Sequence, residues 1–163
     1  MDFDRIFTEL NKMGVKYLVA GGVAVNLHGF VRATADLDIM LLMTRENVEK
    51  YIGLIKTMGF KPRVPVALDD FADDKKRHEW ITEKNMLVFS VYNPSNMMEG
   101  LDVMIEEDLK FDEAYGRRKV VTSHGVEIPV ISIQDLIKLK EDAGRARDLM
   151  DISALKEIIH GQK

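Results

Sequence analysis

The 163-residue chain has no cysteine. That removes disulfide scaffolding, thiolate-held zinc or iron–sulfur clusters and a thiolate nucleophile from consideration. No apolar run approaches the roughly 18 residues a membrane-spanning helix needs. The first residues, Met1-Asp2-Phe3-Asp4, are acidic where a secretory leader is basic and then apolar. No membrane association and a cytoplasmic location are the resulting expectations. A basic excess is also lacking: 23 Lys and Arg against 27 Asp and Glu give a net charge of −4, whereas strong duplex-DNA binding shows as a basic stripe. The short clusters Lys75-Lys76-Arg77 and Arg117-Arg118-Lys119 read as solvated faces. No repeat, low-complexity tract or Pro/Gly/Ser-rich linker divides the chain. With 46% hydrophobic residues, one core and a single domain over residues 1–163 are expected.

Phe3, Ile6, Phe7 and Leu10 fall at helical spacing and predict a helix over 2–13, stopped by Gly14. Residues 15–20 form an apolar, β-rich run and predict a strand. Gly21-Gly22 follow at once, then a short helix over 23–30 closed by His28-Gly29. A strand over 36–43 and a helix over 45–58 come next. Further strands are predicted at 61–66, 86–92 and 101–105, with a helix over 73–83 between the first two. Segments 117–122 and 126–131 flank Ser123-His124-Gly125 as a hairpin. Ser132 caps a helix over 133–143, Gly144 interrupts, and 145–159 is the last helix. This order predicts an α+β fold, a small mixed β-sheet flanked by helices with helices at its C-terminal end. Trp80 reads as a packing residue and the ten methionines, Met97-Met98 among them, as adaptable core filler.

Chemistry concentrates in Arg32-Ala33-Thr34-Ala35-Asp36-Leu37-Asp38. On a strand, Asp36 and Asp38 point to one face, about 6–7 Å apart, while Leu37 and Ile39 point into a core. Adjacent carboxylates repel, and a cation relieves them. Mg²⁺ prefers such oxygens and keeps positions open for substrate phosphates. The alternative is an edge strand with two solvated acids. It fits less well, because the strand continues as Ile39-Met40-Leu41-Leu42-Met43 and Asp is disfavoured in strands. Gly21-Gly22, between a strand and a helix, is a turn whose N–H groups can approach a phosphate. It is neither a Walker A loop nor a dinucleotide fingerprint. Asp102, in Gly100-Leu101-Asp102-Val103-Met104, reads equally as a third ligand or general base and as a strand-end acid capping a turn. Glu106, Glu107 and Asp108 compete with it, but as a charge run they read as a surface turn. Near the C-terminus, Arg145 and Arg147 are expected in the first turn of a helix, where an anion would offset their conflict with the helix dipole. A nearly continuous helix would put Lys140 and Arg147 on one face, with Asp148 and Asp151 orienting the basic side chains.

Gly21-Gly22, His28-Gly29 and Arg32-x-Thr34-x-Asp36-x-Asp38 together resemble the core of the polymerase-β-like nucleotidyltransferase superfamily. The tail Leu139-Lys140-x-x-Ala143-Gly144-Arg145-x-Arg147-Asp148-x-x-Asp151-Ile152 resembles the small nucleotidyltransferases related to AbiEii toxins. The resemblance implies Mg²⁺-dependent transfer of a nucleotidyl group from an NTP to a hydroxyl acceptor: tRNA, protein or a small molecule. Asp36 and Asp38 would hold two Mg²⁺ ions, with Asp102 as the third acid that deprotonates or aligns the acceptor. Gly21, Gly22, Arg32, Thr34, Lys140, Arg145 and Arg147 would bind the nucleotide. A toxin role would bring an antitoxin partner. A catalytically inactive nucleotide-binding module of the same fold is the alternative. The family often has Ser at the second glycine position and a large acceptor-binding domain; this chain has Gly22, and no such domain is expected within residues 1–163.

Overall fold

A computed structural model describes residues 2–105 and 109–161; Glu106, Glu107 and Asp108, expected as a surface turn, lie outside the described residues. Seven strands form one sheet: β1 (Tyr17–Ala20), β2 (Leu37–Leu41), β3 (Lys61–Pro62), β4 (Val88–Asn93), β5 (Asn96–Met104), β6 (Lys119–Ser123) and β7 (Val126–Val130). Their order is β3-β4-β5-β2-β1-β7-β6. The sheet is mixed, with β1 parallel to β7 and β2 parallel to β5 while the other pairs are antiparallel. Helices α1 (Phe3–Lys12), α2 (Gly21–Leu27), α3 (Arg45–Thr57), α4 (Asp74–Lys84), α5 (Phe111–Gly116), α6 (Ile133–Ala143) and α7 (Leu149–Gly161) complete the α+β architecture. No helix among the described residues is long and apolar enough to cross a membrane.

Local signals in the chain account for much of this. Asp2, Thr44 and Ser132 each accept a backbone N–H with the side chain and so cap α1, α3 and α6. His124 and Gly125 both take positive φ, which fits the two-residue turn between β6 and β7 to the twist of the strands. Alternation sends Leu37, Ile39, Leu101, Val103, Phe89 and Val91 into a single buried cluster. Phe71 stacks on Phe89 at 4.3 Å between centroids, with Trp80 and Tyr51 against the same group. Trp80 is therefore a packing residue.

Several expectations change. The strand at 61–66 shrinks to two residues, and β5 starts five residues earlier than its apolar run. The 3-10 turn Leu68–Ala72 and α5 carry no long periodic pattern, and the sequence reading has neither. Arg77 is not solvated: it is buried, and its Nη1 donates to the Phe71 carbonyl at 2.5 Å. Met97 and Met98 are not core filler but 65% and 74% exposed. The C-terminal helix does not run through Arg145. Gly144 takes φ +63 and closes α6, a 3-10 turn covers Ala146–Asp148, and α7 begins at Leu149. Arg145 thus precedes a 3-10 turn and Arg147 lies within it.

Candidate functional site

The strand register assembles the acids. Asp38 is the cross-strand partner of Ala20 on one side and of Asp102 on the other. Asp102 in turn pairs with Ser90, and the Arg63 N–H donates to the Ser90 carbonyl. Directly paired residues point to the same face. Asp38, Asp102 and Ser90 therefore stand in one transverse row, spaced by the roughly 4.8 Å between strands, with Arg63 at its end. Asp36, two residues before Asp38, lies in the bend that leads into β2.

Glycines make room for this row. Gly21 has φ +60, and a Cβ there would fall 2.0 Å from Asp38 Oδ2. A Cβ on Gly22 would meet Thr34 Oγ1 at 2.7 Å and Arg32 Nη2 at 3.0 Å, so the 32–38 segment lies directly on the double glycine. At Gly100 the missing side chain is replaced by the Asp36 carboxylate (2.6 Å) and the Arg63 guanidinium (3.0 Å). The third glycine of the site, Gly100, is invisible as a motif because it stands alone inside β5.

Electrostatics marks the same spot. Burial, then Asp102, then Asp36 push the Asp38 carboxyl up to about 6, against the opposing pull of Lys140 and Arg145. Asp102 is also raised, mainly by burial, while a hydrogen bond from Ser90 and the charge of Arg63 work the other way. The carboxylates are thus incompletely compensated anions. Among the described residues no three Asp, Glu or His side chains close into a preformed metal cage. The arrangement is open, and its donors are all carboxylate oxygens, which suits a hard divalent cation.

The basic residues named from sequence divide into two groups. Lys140 is buried and donates to Asp148 (3.1 Å) and Asp151 (3.0 Å). It does not share a helix face with Arg147, which is exposed beyond the Gly144 break. Arg32 grips Asp151 with Nε and Nη2 at 2.8 and 2.9 Å. Arg145 pairs with Asp148 at 2.7 Å, its side chain half exposed. Asp148 and Asp151 thus orient the cations, and Asp151 ties α7 to the loop lying on Gly22. His28 ends α2, with Nε2 2.7 Å from the Ile131 carbonyl oxygen. Sequence reasoning missed Ser90 and Arg63, since only the sheet register brings them to Asp102. An apolar depression of about 620 Å³ between residues 64–66 and 84–88 contains none of these acids.

No family model and no curated relative matches the chain. Solved structures do match in fold. The lincosamide antibiotic adenylyltransferase LnuA, lincomycin-bound, superposes with a TM-score of 0.64 at 18% identity, covering 96% of this chain and 95% of that one. The antibiotic-resistance factor ANT(2'')-Ia gives 0.60 at 14%, covering 99% and 82%. An antigenic nucleotidyltransferase-like protein from Paracoccidioides brasiliensis gives 0.56 at 15%, covering 94% and 72%. The chain therefore has the nucleotidyltransferase fold over nearly its whole length.

Proposed function

We propose that the protein transfers a nucleotidyl group from an NTP to a hydroxyl acceptor. The observation that carries this reading is the register of Asp38 with Asp102, beside a double glycine, on this fold. Asp38 and Asp102, distant along the chain, share one sheet face with Asp36 in the bend beside them, and a bound cation would relieve the repulsion that the nearby Lys140, Arg145 and Arg63 leave. The similar structures include enzymes captured with lincomycin and with adenylyl-2"-tobramycin, products and substrates of the proposed chemistry.

In the reaction, the acceptor oxygen forms a bond to the α-phosphorus while the bridging bond to the β-phosphate breaks. Pyrophosphate leaves with the electron pair, and the hydroxyl proton passes to a carboxylate, for which Asp102 is the candidate. Asp36, Asp38 and Asp102 would hold Mg²⁺, two ions as the resemblance implies, and the metal would supply charge neutralisation for the phosphate oxygens. Gly21 and Gly22 expose backbone next to that row, and Thr34 adds a hydroxyl. Arg145, half exposed beside Asp38, is the C-terminal cation best able to reach a phosphate, with Arg147 next to it. Lys140 and Arg32 act at one remove: both are anchored on Asp151, and they hold the 32–38 segment against the glycines.

Incubation with each labelled NTP, Mg²⁺ and total RNA or cell lysate tests the reading. Label on RNA, on a polypeptide or on a small molecule, lost in Asp38→Asn, supports it and names the acceptor class. No labelled product and no pyrophosphate release with any NTP overturns it.

A further inference from the structure

In-line displacement puts the attacking and leaving oxygens on opposite sides of the phosphorus. If pyrophosphate departs toward Gly21-Gly22, the acceptor arrives from the other side of Asp38, over β5, β4 and β3. That side has a built feature. Ser90 and Tyr92 lie two residues apart on β4 and so face the same way, toward the solvent above Gly100. The Arg63 guanidinium lies over the Tyr92 ring at 5.2 Å, and its Nη2 donates to the Met97 carbonyl at 3.2 Å. Lys140 and Arg32 are spent on Asp148 and Asp151, and Arg145, paired with Asp148, is assigned to the nucleotide side. Arg63 is fixed instead by a carbonyl and a ring; the Asp36 carboxylate lies near its guanidinium and its charge is felt at Asp102, but no ion pair to it is seen among the described residues. It is exposed, and it reaches the gap that Gly100 leaves open beside Asp36.

We infer that Arg63, braced on Tyr92, is the acceptor-side subsite, and that it takes an acceptor carrying a phosphate next to its reacting hydroxyl. A guanidinium fork matches phosphate geometry, and a fixed cation beside the attack path disfavours polycationic acceptors. The inference rests on the transferase reading and adds a substrate class to it.

The test uses the full chain, isotope-labelled and saturated with Mg²⁺ and a non-hydrolysable ATP analogue. Inorganic phosphate is titrated in while the Arg63 Nε–Hε and Tyr92 ring signals are followed. Both signals are expected to move and saturate. Arg63→Ala is expected to weaken phosphate binding about tenfold or more, as loss of a charge-assisted hydrogen bond does, with analogue affinity unchanged and partial recovery in Arg63→Lys. Parallel titrations with ribose 5-phosphate and with the diadenosine phosphodiester ApA distinguish a small phosphomonoester from a nucleic-acid end; binding of either at Arg63 supports the subsite. Signals that stay still with all three probes, or phosphate binding indifferent to Arg63→Ala, overturn it. So does a tenfold loss of analogue affinity in Arg63→Ala, which would place Arg63 on the nucleotide side. Where the ATP analogue does not bind, the corresponding GTP, CTP and UTP analogues replace it; failure of all four defeats the transferase reading instead, and phosphate titration of the free protein still decides the role of Arg63.

Discussion

Asp38 carries its acid pKa to about 6 because it stands buried among other acids, and this has a signed consequence. The folded protein holds a proton there more tightly than the unfolded chain does. The contribution of Asp38 to the stability of the metal-free protein therefore falls as pH rises from about 4 to about 6 and does not return above that, with a ceiling of about 3 kcal/mol, while the lowered Asp148 carboxyl works in the opposite direction. Urea melts at pH 4 and pH 7 measure this, and Asp38→Asn is expected to flatten the difference while lowering transfer by about 10²–10³-fold. Gly21→Ala is expected to hurt both stability and activity, since the left-handed backbone alone costs about 1–2 kcal/mol and the new methyl displaces the Asp38 carboxylate. Circular dichroism melts and pyrophosphate release check it together. Much of this was legible in the chain: Asp36, Asp38 and the double glycine announce themselves by spacing, and Asp102 by being an acid in an apolar run. Ser90, Gly100 and Arg63 were not, because they meet the acids only across strands, and no spacing along the sequence encodes that register.

The C-terminal elements act as a charge clamp. Lys140, Arg32 and Arg145 face Asp148 and Asp151, with Lys140 and Asp151 both nearly inaccessible to solvent. Three cations share two anions, so the asymmetry decides which loss is worse. Asp151→Ala leaves a larger buried positive excess and is expected to cost about 3–5 kcal/mol. Lys140→Met leaves each acid with an arginine and is expected to cost clearly less. Denaturant midpoints of the two variants, side by side, test the ordering. By contrast, the exposed His124–Asp4 contact at the hairpin tip is the kind of surface pair that contributes little, and His124→Ala should leave the midpoint unchanged. Elements with local punctuation were readable: the capped helices, the β6–β7 hairpin and the Gly144 stop. Those whose extent is set by partners were not. β5 extends back to Asn96 because it pairs with β4, and β3 pairs with β4 only at Lys61 and Pro62, with one further bond from the Arg63 N–H to the Ser90 carbonyl. The break after Gly144 was seen, but the 3-10 turn behind it was not, and the shared Lys140–Arg147 face was lost with it.

At the scale of the molecule, one sheet carries one buried cluster, and the candidate site lies across its middle strands. Binding there stabilises everything attached to it. Mg²⁺ with an NTP at a hundred times its dissociation constant is expected to add about 2.7 kcal/mol. For a chain of this size that raises the melting temperature by roughly 5–10 °C, and Asp38→Asn should abolish the shift; thermal scans with and without ligand measure it. Arg32 and Asp151 are separated by 119 positions. A chain emerging from the ribosome thus presents its glycine bend and its acids long before the carboxylate that locks them arrives. The segment lying on the double glycine therefore stays unclamped until the stretch around Asp151 has been made.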